Sequence, residues 1–431
     1  MQVLTSFGIH PGLERIEYLL QQMGKPHMAF PCVHIAGTNG KGTVTELISR
    51  GLSAAGYRTG KFTSPHLHDY TERIQIDGKP ISYEEMNRYL DEIDARIPAM
   101  EAAGLEHPTE FEVLTAMAFS YFRDRQVDVA VLEVGLGGTL DSTNVITPEV
   151  SVITGIAYDH MAILGDTLAE IAANKAGIIK EGVPVVIGEM PDEAADVIYR
   201  TAFEKHSSLY RSRDCVVEGI KSREKGQKIH IQGVFPKLGK KLLDFHLLGA
   251  YQRRNLATAL TALAVLKQRG WKLSAKTVRC MLKTVSLSGR LEVVSEKPLV
   301  LIDVAHNPQG AEALGESLKE LFPDRKKILV CGILDDKDAA SMMQSLSYQT
   351  KKVIFTQPLG PRGKNWKRLR TLWAEKLPDI PAEEEADIEK AAQRALEDME
   401  DTDYLLLTGS FYLMDPARKF FLRSGQNKNK G

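Results

Sequence analysis

The chain of 431 residues has little cysteine: only Cys32, Cys215, Cys280 and Cys331, far apart and with no C-x-x-C pair. That spacing argues against zinc and against a secreted disulfide framework, and leaves the four as packing residues. It has no apolar run near the ~20 residues that span a bilayer, and its start, MQVLTSFGIHPG, lacks the charged head and apolar centre of a secretion signal. Charge of one sign is also missing. A net charge of −1 offers no footprint for nucleic acid or a membrane surface. There is no internal repeat and no low-complexity tract. What remains is 43% hydrophobic and 26% charged, as soluble globular proteins are. The expectation is a cytoplasmic monomer, too long for one ordinary core and so built of two domains.

The organising stretch is VHIAGTNGKGT, Val33 to Thr43. An apolar run ends there, a segment with Gly37, Gly40 and Gly42 follows, and Val44, Leu47, Ile48, Leu52 and Ala55 then repeat at helical spacing. Strand, glycine loop and helix in that order form a phosphate cradle. Glycines let backbone N–H groups turn inward, the helix N-terminus adds a positive dipole end, Lys41 reaches β/γ-phosphates and Thr43 offers a hydroxyl to Mg²⁺. The loop departs from G-x-x-x-x-G-K-[ST]: only Thr38 and Asn39 separate Gly37 from Gly40, and Gly42 intervenes before Thr43.

Elsewhere in the first half, Asp77-Gly78 marks a hairpin, and helical patterns run over 82–96 and 109–123. VDVAVLEV, VSVITGI and VPVVIG read as strands of a buried, largely parallel sheet. Between Cys215 and Leu248 short alternating segments predict a small added antiparallel sheet, followed by helices over 251–270 and 274–284. A change of domain is expected near Leu287. Strand-helix alternation then restarts with LVLIDVA, KKILVCGI, KKVIFT and DYLLLTG, a second α/β domain, and the polar end SGQNKNKG is expected to be disordered.

Several residues carry chemistry. Glu133 ends an apolar strand, where a Mg²⁺ ligand or merely a solvated strand-end acid would sit. Asp159-His160 follows the next strand, with a structural reading and a ligand reading both open. Lys175 lies in a helix opened by the capping-box pattern Thr167-x-x-Glu170, beside Ala172, Ala173 and Ala176. It either snorkels to water or is held near metal and phosphate. In the second half Asp303, His306 and Asn307 crowd the end of strand LVLIDV, although Asp and Asn-Pro are also turn formers. Arg290 precedes that strand, as a surface charge or as a group that bridges a transferring phosphoryl.

Taken together, AGTNGKGT, FTSPHL with YTERI, PTEFE, VLEVGLGGTLDSTN, the Asp-His pair, NKAGIIK, GAYQRRN, GRLE and DVAHNP resemble, in order and over nearly the whole chain, the folylpolyglutamate synthases of the Mur ligase superfamily. The resemblance implies an α/β fold: a P-loop ATP-binding domain of Mur-ligase type with a small added antiparallel sheet over 1–287, and a Rossmann-like domain over 288–431, with the active site between them. It implies that Asn39, Gly40, Lys41, Gly42 and Thr43 bind ATP phosphates. Thr43, Ser64, Glu133 and His160 would ligate Mg²⁺, with Lys175 as a carbamylated lysine. That fits an amine in a desolvated site, neutral enough to take up CO₂. Asn255, Arg290 and Asp303 would contact ATP, His306 would lie close to the transferring phosphate, and His10, Phe111 and Asp141 would form the pterin site.

The implied reaction is ATP-dependent addition of L-glutamate to the glutamyl carboxylate of a folate through an acyl phosphate. Lys41, Lys175, Arg290 and His306 would be its catalytic residues. Its rivals are a bifunctional enzyme that also joins dihydropteroate to glutamate, a Mur-type peptide ligase, a small-molecule kinase and a nucleotide-gated binding module. A second domain carrying DVAHNP speaks against the kinase.

Overall fold

The structure, a computed structural model, describes residues 11–223, 225–239 and 241–428, so the expected pterin contact His10 lies outside the described residues. The chain divides into two compact units. One comprises 1–218, 230–243 and 254–285, and the other 219–229, 244–253 and 286–431. The last change falls two residues before the expected linker position, but the two short excursions were not legible in the sequence.

The first unit is built on a sheet whose strands are β1 (Cys32–Ala36), β2 (Thr59–Phe62), β3 (Ile74–Ile76), β4 (Lys79–Pro80), β5 (Val129–Glu133), β6 (Val150–Ile153), β7 (Val185–Ile187) and β8 (Leu209–Arg211). Their order is β4-β3-β2-β5-β1-β6-β7-β8, parallel from β2 to β8, with the antiparallel β3–β4 hairpin at one edge. Asp77 and Gly78 turn that hairpin with φ of 51° and 76°, the left-handed pair that a tight two-residue turn needs. β1, β5 and β6 are buried along their whole lengths, which is why they read as unbroken apolar runs. The glycine loop leaves the carboxyl end of β1, the middle strand of these three. It is flanked by Glu133 at the end of β5 and by Thr154 after β6, because Ile35 is level with Glu133 and Ala36 with Ile153.

A three-stranded sheet follows, β9 (Val216–Arg223), β10 (Gly226–Gln232) and β11 (Leu243–Phe245), in the order β11-β10-β9. The second unit holds β12 (Glu292–Glu296), β13 (Leu299–Ile302), β14 (Lys327–Cys331), β15 (Thr350–Phe355), β16 (Ala382–Glu384) and β17 (Tyr404–Thr408), ordered β12-β13-β17-β14-β15-β16. All neighbours are parallel except β12 with β13. β8, β12 and β16 were not expected. They are short, partly exposed edge strands without an apolar run. Arg290 therefore precedes an edge strand rather than LVLIDV itself. The polar end is also corrected: a helix runs from Met414 to Lys428, through the first five residues of the segment expected to be disordered.

Candidate active site

The first unit gathers its polar groups around the glycine loop. Gly40 has φ 87°, and a Cβ there would lie 2.4 Å from Asn255 Oδ1, so both backbone and space demand glycine and put Asn255 against the loop. The loop is pinned from β6: Thr38 N donates to Gly155 O (2.7 Å), Thr154 Oγ1 to Asn39 O (2.7 Å), and Thr38 Oγ1 exchanges bonds with Ala157. Lys41 Nζ donates to Gly37 O (3.0 Å) and Thr38 O (3.2 Å).

Lys175 is only 4% exposed, and its Nζ donates to the same Gly37 O at 3.1 Å, so the snorkelling alternative is overturned. The small-residue helix lets the stem run inward instead. Burial and then the neighbouring Lys41 charge bring its ammonium down to about 7, against partial opposition from Asp159 and Asp141. Two lysines converging on one carbonyl, one of them easily deprotonated, form an electropositive pocket suited to phosphate and to a second anion.

Glu133 is buried, accepts Ser64 N at 3.4 Å, and lies against the first turn of the helix Lys41–Ala54, with its oxygens 3.7 and 3.9 Å from where a Gly42 Cβ would be. Thr43 in that turn is buried as well. Among the described residues no three His, Cys, Asp or Glu side chains gather to hold an ion alone. Carboxylate and hydroxyl oxygens beside a phosphate loop still fit Mg²⁺, which takes one or two carboxylates and completes its shell from phosphate and water. His160 is exposed, at the left-handed residue before the helix Met161–Leu164, with Nε2 3.8 Å from Asp159 Oδ1.

Of the pterin-site residues, Phe111 stands half-buried in the first turn of the helix Glu110–Asp124, its ring 5.6 Å from that of Phe62. Asp141 is tied to the backbone around it. Its Oδ2 accepts Gly135 N (3.0 Å) and Leu136 N (2.9 Å), and its Oδ1 accepts Thr143 N (3.0 Å) and Thr143 Oγ1 (2.5 Å). It thereby holds the loop over 135–143.

The second unit has its own cluster. Asp303 is buried, and its carboxylate accepts Tyr251 Oη (2.9 Å), Leu291 N (2.7 Å) and Ala305 N (2.8 Å). This carboxylate braces the backbone beside Arg290 and beside His306. Burial pushes its carboxyl up even so, with Arg290 opposing. The Arg290 guanidinium sits 5.1 Å over the Phe411 ring, and the His306 ring is 5.4 Å from the same ring. His306 Nδ1 is 3.0 Å from Val304 O; a carbonyl only accepts, so Nδ1 carries a proton. Asn307 caps the helix Pro308–Leu321 through Gly310 N, which accounts for part of the polar crowding in DVAHNP. Phe411, Tyr251 and Thr154 were missed in the sequence; their only signal is a position just after a strand or at the start of a helix.

The Mur ligase middle domain family matches residues 35–263, and the Mur ligase, glutamate ligase domain family matches 289–411. Over 426 residues the chain is 36% identical to the dihydrofolate synthase/folylpolyglutamate synthase of Bacillus subtilis (96% of this chain, 95% of the relative). The chain belongs to the folylpolyglutamate synthase/dihydrofolate synthase family. It is also 38% identical over 412 residues to the folylpolyglutamate synthase of Lacticaseibacillus casei (95% and 94% covered). The Mycobacterium tuberculosis folylpolyglutamate synthase, solved with ADP and AMPPCP, superposes with a TM-score of 0.86 at 34% identity, covering 95% of each chain. As a member of this family the chain has its glycine loop, Glu133 and Lys175 inside the middle-domain match, and Arg290, His306 and Phe411 inside the ligase-domain match.

Proposed function

We propose that this chain is an ATP-dependent ligase that adds L-glutamate to the glutamyl carboxylate of a folate through an acyl phosphate, releasing ADP and phosphate. The observation that carries it is the convergence of Lys41 and Lys175 on Gly37 O, in a chain of this family. Bound triphosphate would draw Lys41 off the loop carbonyls onto β/γ-oxygens, the stronger, charged acceptors. Asn39 and the N–H groups of residues 40–43 cradle the phosphates, and Asn255 and Arg290 add contacts to the nucleotide. Thr43, Ser64, Glu133 and His160 would hold Mg²⁺, which neutralises charge on the transferring phosphoryl when bound.

The carboxylate oxygen forms a bond to the γ-phosphorus as the bond to ADP breaks, and Arg290 offsets the charge in flight. The glutamate amine then attacks the acyl carbon, and phosphate departs with the bonding pair. His306 Nε2 is the atom suited to take the amine's proton. Lys175, neutral in a sizeable fraction near pH 7, would add CO₂ at Nζ and give a proton to solvent. The resulting carbamate is an anion where the ammonium was, and would complete the oxygen shell of the metal. Phe111 offers an apolar ring to the pterin, with Asp141 acting on that side through the loop it holds. A second reading adds dihydropteroate as an acceptor, favoured because the Bacillus subtilis relative carries both activities in its name.

The test is incubation with ATP, glutamate and either tetrahydrofolate or dihydropteroate, with phosphate release and product mass followed together. Release that needs all three substrates, with a gain of one glutamyl unit, is expected. Release without a folate, or no mass gain, would remove the ligase reading.

A further inference from the structure

We infer that His34, Thr143 and Asp141 form a buried hydrogen-bond relay that positions the loop after Glu133, with His34 locked as its Nε2–H tautomer. His34 and Thr143 are thereby positioning residues for the folate side of the site. The kinetic part of this inference rests on the function proposed above; the tautomer and the loop do not.

His34 lies on β1, the strand that feeds the glycine loop, with apolar Val33 and Ile35 on either side in a fully buried strand. It is wholly buried, and Nε2 is 2.8 Å from Thr143 Oγ1. Thr143 Oγ1 is in turn 2.5 Å from Asp141 Oδ1. The direction of these bonds follows from counting protons. Three backbone N–H groups, of Gly135, Leu136 and Thr143, point at Asp141, which marks it as a carboxylate that only accepts. The single hydroxyl proton of Thr143 therefore goes to Asp141, and Thr143 can only accept from His34. The proton is on Nε2.

Nδ1 then carries a lone pair, and it has no hydrogen-bond partner although enclosed by protein. An imidazolium would bury a second N–H there, near Lys180. Burial first and the Lys180 charge second push the ring down to about 3, so it stays neutral through the working range. Lys180 itself donates to Asn144 O at 2.9 Å, one residue beyond Thr143. A buried nitrogen left without a partner is a standing cost, and a leucine would avoid it. What the histidine supplies is a donor to the relay.

The loop so held meets the proposed chemistry at three places. It begins two residues after Glu133. A side chain at Gly135 would strike the Phe111 ring (2.5 Å to Cζ), and one at Gly138 would come within 3.0 Å of Lys175 Cα. The side-chain hydrogen bond of His34 goes to Thr143. It acts through Thr143 and Asp141.

Imidazole nitrogen NMR of histidine-labelled protein should show His34 as the neutral Nε2–H tautomer at every pH near neutrality. A Nδ1–H tautomer, or titration in that range, would overturn the relay. Substitution of His34 risks the fold, so Thr143 carries the second arm. Thr143→Val keeps the shape and removes the hydroxyl, whereas Thr143→Ser keeps it. The amides of Gly135 and Leu136 should exchange with solvent at least tenfold faster in the valine variant and near the parent rate in the serine variant. Equal exchange in both refutes the relay. With folate as acceptor, kcat/KM should fall about tenfold in Thr143→Val and recover in Thr143→Ser, while ATP affinity stays within about twofold. An equal loss of ATP affinity would mean that the pair merely stabilises β1, against the inference. Should the parent itself not turn over folate, the functional reading fails, and the tautomer and exchange results still decide the relay.

Discussion

Lys175 permits a test whose size follows from its surroundings. A fall from 10.5 to about 7 corresponds to about 5 kcal/mol, and makes the amine neutral on the order of a thousandfold more often near pH 7 than an ordinary lysine. Carbamate forms only from neutral amine, so enzyme stripped of CO₂ and then given carbon-13 bicarbonate should regain the group at a rate that tracks this fraction. At fixed dissolved CO₂ the rate should rise about tenfold between pH ~6 and ~8 and then level off, whereas a lysine near 10.5 would rise about a hundredfold and continue upward. Carbon-13 NMR of the carbamate carbon reads this directly, with Lys175→Met as the blank. The stability of CO₂-free protein should move with the same group. Between about pH 7 and 10.5 the unfolded chain holds the Lys175 proton that the folded chain has released. The free energy of unfolding therefore rises with pH across that window, and Lys175→Met lacks the rise. A hundredfold climb without a plateau, or a signal that persists in the methionine variant, would refute the reasoning about this pocket.

Three further outcomes are expected. Lys41→Ala should leave the fold intact and turnover undetectable, since its Nζ bonds to the carbonyls of Gly37 and Thr38 in the glycine loop; near-normal activity would remove the nucleotide assignment. Gly40→Ala should cost about 1–3 kcal/mol and weaken ATP binding, because a Cβ meets Asn255 at φ 87°; an unchanged melting temperature would contradict it. Arg290→Ala should lower turnover on the order of 10²–10³-fold and ATP affinity much less, as read by steady-state kinetics beside direct binding; equal losses would reduce Arg290 to holding nucleotide.

The legible parts of this protein were those in which one local pattern suffices. The glycine loop shows in sequence because strand, glycines, lysine and helix are consecutive, and Glu133 because it ends a strand paired with β1. Asp303 was legible as part of a polar cluster and Asp141 only through the resemblance, and neither as a brace, since donors such as Leu291 N, Gly135 N and Leu136 N come from other turns. Phe411 could not be seen. It matters only because Arg290 and His306 lie against its ring from a distant part of the chain. The edge strands β8, β12 and β16 escaped because edges need no apolar face, and His34 read as one more residue of a buried strand.

Acyl-phosphate formation is tested most directly by oxygen-18 in the folate's reacting carboxylate. The bridging oxygen of the acyl phosphate leaves with phosphorus, so one labelled oxygen per turnover should appear in inorganic phosphate while the other stays in the new amide. Unlabelled phosphate from a reaction that nevertheless yields the glutamylated product would contradict the mechanism at its central step.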